Sequence, residues 1–291
     1  MKPPKFEYHN PTTLLQVLDL MHQLGDTARP LAGGQSLVPL MNLRLARPQH
    51  LIDLNSVQEL RFLRAGNNLL EIGAMTRQRE LERSIEILER WPIIAEATSC
   101  IGHVQIRNRG TVGGSLAHAF PSAELPLVMV ALEASFIVRK ENHQRQVASS
   151  EFFVNYMTTA LEPDELLVAI QVPSLSKHTG WSFQEISLRH GDFALAGVAT
   201  LLSLNEGLIR DASLILTGRI PIRATEAEEF LRGQKPTESI FQEAARLATV
   251  NLEQDSDIHA SADYRRRACG VLARRSLQEA LARAYPKTKD D

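Results

Sequence analysis

Paired glycines followed at once by small polar residues occur twice in this chain, as Ala32-Gly33-Gly34-Gln35-Ser36-Leu37 and as Thr111-Val112-Gly113-Gly114-Ser115-Leu116. Glycine lacks a Cβ and tolerates positive φ, so such a loop can turn consecutive N–H groups onto one anion. Ser36, Thr111 and Ser115 add hydroxyl donors. One Gly-Gly pair is also an ordinary turn signal. Two loops of matching chemistry, about eighty residues apart, point instead to two halves of one cradle for a large diphosphate ligand. Neither loop follows the Gly-x-Gly-x-x-Gly or Gly-x-x-x-x-Gly-Lys-Ser/Thr pattern, so the phosphate must be held in a geometry unlike the Rossmann or P-loop ones.

The elements that must position these loops can be read from periodicity. Phe6 to His9 is extended, and a helix is predicted from about Thr12 to Leu24, with Leu14, Leu18, Met21 and Leu24 at helical spacing, a threonine cap and Gly25 as its stop. After the first glycine loop come a helical stretch, Leu37 to Leu45, and a short buried strand at Leu51 to Leu54. Then follow a strand at Leu69 to Ile72, a charged helix from about Arg77 to Arg90, and an apolar helix from Ile93 to Cys100. An apolar helix through Leu125 to Leu132 lies beyond the second loop, with strands at Ser135 to Val138 and Leu166 to Val172. The serine-rich stretch Pro173 to Gly180 reads as a linker. Beyond it, Trp181 to Leu188, Ala196 to Leu204 and Ala212 to Thr217 form a mostly antiparallel sheet, two of them joined by an Asn205-Glu206-Gly207 hairpin. Helices close the chain: one opened by a Thr225 to Glu228 capping box and ended at Gly233, one from Phe241 to Leu252, and one from about Ala262 to Tyr285. The arginine clusters at 265–267 and 274–275 read as a solvated face, and Lys287 to Asp291 as a disordered tail.

Composition narrows the function. A chain of 291 residues with 44% hydrophobic content makes about two domains with real cores. A formal net charge of −2 provides no field for nucleic acid or an anionic membrane. The start, Met1 to Phe6, has no apolar h-region, and no run of about eighteen apolar residues occurs, so a cytoplasmic protein without membrane insertion is expected. With only Cys100 and Cys269, the chain alone cannot hold an iron–sulfur cluster, which takes about four thiolate-type ligands. The nine histidines show no metal-binding spacing, so no metal site is expected and each histidine reads as surface or hydrogen-bonded.

Three motifs in order, the Ala32 to Leu37 loop, Ile101-Gly102-His103 with Gln105 to Ala119, and Arg189-His190-Gly191-Asp192-Phe193-Ala194, resemble the FAD-binding medium subunit of molybdenum hydroxylases, the xanthine dehydrogenase and aerobic carbon monoxide dehydrogenase family. The resemblance spans nearly the whole chain. It implies an α+β architecture: a two-subdomain FAD-binding fold of the vanillyl-alcohol-oxidase type, 1–55 and 56–176, then a smaller C-terminal flavoprotein domain, 177–288, with an antiparallel sheet and helices, and a tail, 289–291. It implies that Ala32, Gly33, Gly34, Gln35, Ser36 and Leu37, with Thr111, Val112, Gly113, Gly114 and Ser115, bind the FAD pyrophosphate mainly through backbone N–H groups. Glu124 matches an acidic position that contacts the nucleotide part of FAD; a helix N-terminal carboxylate favoured by the macrodipole would look the same. Ile101, Asp192 and Phe193 fall near the isoalloxazine ring, with Phe193 suited to cover one flavin face or, alternatively, to fill a strand core. Leu167 matches a backbone contact to FAD or is simply a buried strand residue. One departure is Phe120, where family members commonly carry Asp.

The implied function is electron transfer through noncovalent FAD. A small partner subunit would carry [2Fe–2S] clusters and a large one the molybdopterin cofactor, assembled as a dimer of heterotrimers. Near-absence of cysteine agrees with that division of labour. No side chain is assigned as a catalytic acid or base. A self-contained FAD oxidase of the same fold, a nonenzymatic FAD-binding assembly protein, and a protein binding another nucleotide, such as a UDP-sugar, are the competing readings.

Overall fold

The structure, a computed structural model, describes residues 2–176 and 178–285. Its contacts divide the chain into two compact units that are discontinuous in sequence, where the sequence suggests contiguous segments. The first takes the described parts of 1–81, 103–119 and 134–173; the second takes 82–102, 120–133 and those beyond 173. The expected tail lies outside the described residues.

The first unit begins with a three-stranded parallel sheet of β1 (Glu7–His9), β2 (Ala28–Leu31) and β3 (His50–Asp53), in the order β1-β3-β2. Parallel neighbours need crossovers. The helix Leu14–Leu24 supplies one and the shorter helix Leu37–Asn42 another. Thr13 caps the first in a reciprocal box with Gln16, as its position predicts, and Leu14, Val17, Leu18 and Met21 form the buried stripe. That stripe packs with Ile52, Leu54, Met75, Leu166 and Val168, each fully buried side chain contributing about 1.5–3 kcal/mol. A second, antiparallel sheet contains β4 (Leu63–Ala65), β5 (Leu69–Gly73), β6 (Ser135–Lys140) and β7 (His143–Ala148). After the small pair β8 (Phe153–Asn155) and β9 (Thr158–Thr159), β10 (Leu166–Pro173) returns to its centre, giving the order β4-β5-β10-β6-β7.

The charged helix predicted over 77–90 is two helices, Gln78–Arg83 and Ile85–Arg90. Ser84 breaks it, because its side chain accepts from the Ile87 N–H and starts the second helix with a fresh cap.

The second unit is built on the antiparallel sheet β11 (Thr179–Ile186), β12 (Ala196–Asn205), β13 (Leu208–Leu216) and β14 (Ile222–Arg223). Glu206 and Gly207, at φ 50° and 76°, make the expected hairpin between β12 and β13. The helix Ala262–Ala284 lies on this sheet, its small residues Ala268, Cys269, Ala273 and Ala280 permitting close approach, and the helix Glu238–Val250 packs beside it. The helices Pro92–Cys100 and Glu124–Ala131 also belong to this unit. All eight residues of Glu124–Ala131 are buried, so it has no solvent face and must be enclosed by its neighbours.

Two local expectations are corrected here. Thr225 forms no capping box: Ala224 occupies the cap without a side-chain bond, and Glu228 instead accepts from the Leu214 N–H at 2.7 Å and from Arg223 at 3.2 Å. Of the arginines read as a solvated face, Arg265 is buried, donating to the Leu195 carbonyl at 2.9 Å and to Asp257 at 2.6 Å. The two acceptors satisfy its Nη1 and Nη2 groups, while its buried Nε–H has no partner among the described residues.

Candidate functional site

The two glycine loops meet within the first unit. Ala32 to Ser36 leads from β2 into the helix Leu37–Asn42, and Thr111 caps the helix Val112–His118. A Cβ placed on Gly114 would lie 3.5 Å from the Cβ of Ala32. A Cβ on Gly33 would come 2.3 Å from the Arg109 carbonyl oxygen, and one on Gly113 2.5 Å from the Cβ of Ala74. The glycines are therefore required by contact between backbones, before any ligand is considered.

The donors of the two loops are arranged differently. Val112 and Gly113 give their N–H groups to the carbonyls of Thr76 and Ala74 at 3.0 and 2.8 Å, Gly114 gives its own to the Thr111 hydroxyl at 3.1 Å, and Ser115 bonds the Thr111 carbonyl. These amides are committed to docking the helix on the chain that leaves β5. By contrast, the N–H groups of Gly33, Gly34, Gln35, Ser36 and Leu37 have no intramolecular acceptor among the described residues. Gly34 has φ +74°, the Gln35 side chain bonds back to the Gly33 carbonyl at 2.9 Å, and the Ser36 side chain makes no capping bond. A run of uncommitted amides beside an exposed hydroxyl is the donor set that a diphosphate needs, so these residues fit the expected ligand. The amides of the second loop are engaged within the protein, by contrast with those of the first.

Polar residues not recognised from sequence hold this arrangement. Asn55, just past β3, donates to the Ala32 carbonyl at 3.1 Å and is itself fixed by Asp53. Arg77 donates to Asn55 at 2.6 Å and to the Arg109 carbonyl, tying one loop to the other. Burial, reinforced by Arg109, lowers the Arg77 pKa from the usual guanidinium value, although the group stays a cation near neutral pH. No spacing in the sequence links Asn55 or Arg77 to a glycine loop; their partners come from sheet pairing and from the Arg77–Thr111 bridge. Leu167 is buried in β10, next to a shift in its register with β6.

The other nominated residues are in the second unit. Ile101 terminates the helix Pro92–Cys100 and is nearly buried. Glu124 occupies the first turn of its helix at 8% exposure, where burial, with a smaller repulsion from Glu185, pushes its carboxyl up to about 8. A neutral acid gains little from a helix dipole, which removes the force of the macrodipole reading near pH 7. Glu185 on β11, absent from the sequence-based candidates, is pushed up to about 7 by burial. Burial and these two acids push the Cys100 thiol up to about 12, leaving it unreactive. Asp192 and Phe193 are exposed on the loop between β11 and β12. Phe193 is 71% exposed rather than a core aromatic, and its ring lies 4.6 Å from that of Phe120. The residue that replaces the common Asp is thus the ring partner of the expected flavin cover.

Comparison with known proteins follows the same lines. Residues 4–175 match the FAD binding domain in molybdopterin dehydrogenase, and residues 181–280 match the CO dehydrogenase flavoprotein C-terminal domain. The chain is 38% identical over 285 residues to the carbon monoxide dehydrogenase medium chain of Hydrogenophaga pseudoflava, covering 97% of this chain and 99% of that one. It is 39% identical over 289 residues to the 6-hydroxypseudooxynicotine dehydrogenase complex subunit alpha of Paenarthrobacter nicotinovorans, covering 98% of each. Its fold matches a solved carbon monoxide dehydrogenase from Hydrogenophaga pseudoflava, lacking the Mo-pyranopterin moiety of the molybdenum cofactor, with a TM-score of 0.95 at 38% identity, over 97% of this chain and 99% of the other. The resemblance carried by the glycine loops is borne out. The chain belongs to the family of FAD binding domains of molybdopterin dehydrogenases, continued by a CO dehydrogenase flavoprotein C-terminal domain.

Proposed function

We propose that this chain is the FAD-binding, electron-transferring medium subunit of a molybdenum hydroxylase, working with a molybdopterin-binding large subunit and a [2Fe–2S] small subunit. What carries the reading is the end-to-end correspondence with a carbon monoxide dehydrogenase medium chain, 97% of one and 99% of the other. Electron uptake from the partner's iron–sulfur clusters and delivery to an external acceptor are the chemistry FAD supplies when bound. The protein's own part is to hold and shield it. The amides of Gly33 to Leu37 and the Ser36 hydroxyl receive the pyrophosphate, with Thr111 to Ser115 forming the other wall. Glu124, protonated near neutral pH, offers an O–H to the nucleotide portion. Ile101, Leu167, Asp192 and Phe193 serve the flavin end. Two heterotrimers pair, and the complex works in the cytoplasm. No helix among the described residues is long and apolar enough to cross a membrane. Relatives of nearly equal identity are named for carbon monoxide and for 6-hydroxypseudooxynicotine, so substrate choice rests with the large subunit.

Native purification tests the reading. Flavin and iron–sulfur absorbance with a small and a large co-purifying chain is the expected result. A lone flavin-bearing chain reduced directly by substrate would instead be an oxidase, and an extract without FAD would remove the cofactor assignment.

The role of Phe193 has its own test. Its side chain is mostly exposed, so Phe193→Ala should cost little beyond the ring pair with Phe120, about 0.5–1.5 kcal/mol. Reoxidation of the reduced holoprotein by oxygen, followed by stopped flow, should accelerate several-fold in the variant as one flavin face is uncovered. An unchanged rate would place Phe193 away from the ring.

A further inference from the structure

At the end of the parallel sheet away from the glycine loops, three potential metal ligands converge. Glu7 and His50 are register partners on β1 and β3, and His9 lies two residues beyond Glu7 on the same face of its strand. His9 Nε2 and His50 Nδ1 are 3.2 Å apart; Glu7 places one carboxylate oxygen 3.8 Å from His9 Nε2 and the other 3.5 Å from His50 Nδ1. We propose that Glu7, His9 and His50 bind one divalent transition-metal ion of the zinc class.

The geometry carries the argument. Zinc bonds imidazole nitrogen and carboxylate oxygen at about 2.0–2.2 Å, and tetrahedral ligands at that radius lie about 3.4 Å from one another. The two nitrogens stand 3.2 Å apart; the Glu7 separations are to its two different oxygens, so a small rotation of the exposed Glu7 side chain brings one oxygen into the triangle, one ligand atom from each residue already lying within 4.8 Å of the others. Both imidazoles are largely buried, at 18% and 20% side-chain exposure, so the strands hold them in place; Glu7, at 66%, is free to adjust. Two facing imidazole nitrogens at 3.2 Å can share one proton when both rings are neutral, and a metal ion would take both lone pairs once the ring carrying that proton shifts to its other tautomer, with the hydrogen on its second nitrogen. Three protein ligands leave the fourth position to water, an open site. The ion would fasten the three-residue edge strand β1 to the central strand β3. The histidines are 41 residues apart in sequence, so only strand pairing reveals the site.

The probe is zinc chloride, titrated into the full chain against a chromophoric chelator, with cobalt(II) as a spectroscopic substitute. Expected are one equivalent of zinc, the visible bands of tetrahedral cobalt, and a rise in melting temperature. His9→Gln and His50→Gln, each confirmed as folded without metal by circular dichroism, should each weaken zinc binding at least about 100-fold, the upper end of what loss of an outer-shell partner costs. Both should bind FAD as the parent does, because His50 opens β3 whereas the cradle lies beyond its end. Absence of stoichiometric uptake by the parent chain, or equal uptake by both variants, would overturn the proposal and leave a hydrogen-bonded histidine pair.

Discussion

Gly33→Ala is expected to lower FAD affinity by at least about 100-fold, close to 3 kcal/mol. The added methyl would sit 2.3 Å from the Arg109 carbonyl oxygen and 2.9 Å from the Gly110 Cα. That opposing backbone is restrained: the Gly110 N–H bonds Ile106 at 2.6 Å, its carbonyl accepts from Gln78 at 2.9 Å, and Arg77 holds the Arg109 carbonyl. The first loop must therefore move, carrying with it the amides of Gly33 to Leu37. Overpacking of this kind also costs about 1–3 kcal/mol of stability. Gly66→Ala is the control, because its Cβ would meet nothing closer than 3.4 Å. Fluorescence titration of the apoprotein with FAD reads the effect, and parent-like affinity in a folded Gly33→Ala chain would show that the cradle tolerates the shift.

The second large effect is a loss of stability of the FAD-free chain as pH rises from about 5 to 9. Burial pushes the carboxyls of Glu124 and Glu185 up to about 8 and about 7 from the ordinary carboxylate value of 4.5. Between these limits the folded chain binds more protons than the unfolded one, so the slope of unfolding free energy against pH is negative. The stabilisation is complete below about pH 4.5 and is lost as pH climbs through the folded values. The two acids repel each other and titrate as a pair, for a combined effect on the order of a few kcal/mol. That corresponds to roughly 5–10 °C in melting temperature for a unit of this size. Glu124→Gln abolishes one ionisation and should flatten the profile, leaving the variant more stable than the parent at pH 9. Parallel melting curves for parent and variant across this range would show that Glu124 is not held neutral.

Local chemistry made much of the fold legible. Thr13 with Gln16 marks a helix start because a capping box is satisfied within one turn, and Asn205-Glu206-Gly207 marks a hairpin because the positive φ values belong to the turn itself. The run Leu166 to Val172 reads as a strand because burial on both faces calls for a largely apolar stretch, here broken only by the half-buried Gln171. The same locality misled at Thr225 and Glu228, whose spacing satisfies a cap while the better partner for Glu228, the Leu214 amide, comes from another strand. Arg265 looked solvated because its acceptors, Leu195 and Asp257, are distant or irregular in sequence.

Residue types and their order along the chain were enough to assign it to this flavoprotein family and to single out the two glycine loops as the proposed phosphate cradle. Tertiary structure decided which loop keeps its amides free. Strand docking consumes those of Val112 and Gly113 and spares those of Gly33 to Leu37, and the fold alone makes Asn55 and Arg77 the ties between the loops. It also brought Glu185 beside Glu124, Phe120 against Phe193, and His50 opposite Glu7. Hydrogen bonds and charge interactions act over a few ångströms of space, whereas these partners are separated by tens of residues of chain, and only the pairing of strands and helices converts one distance into the other.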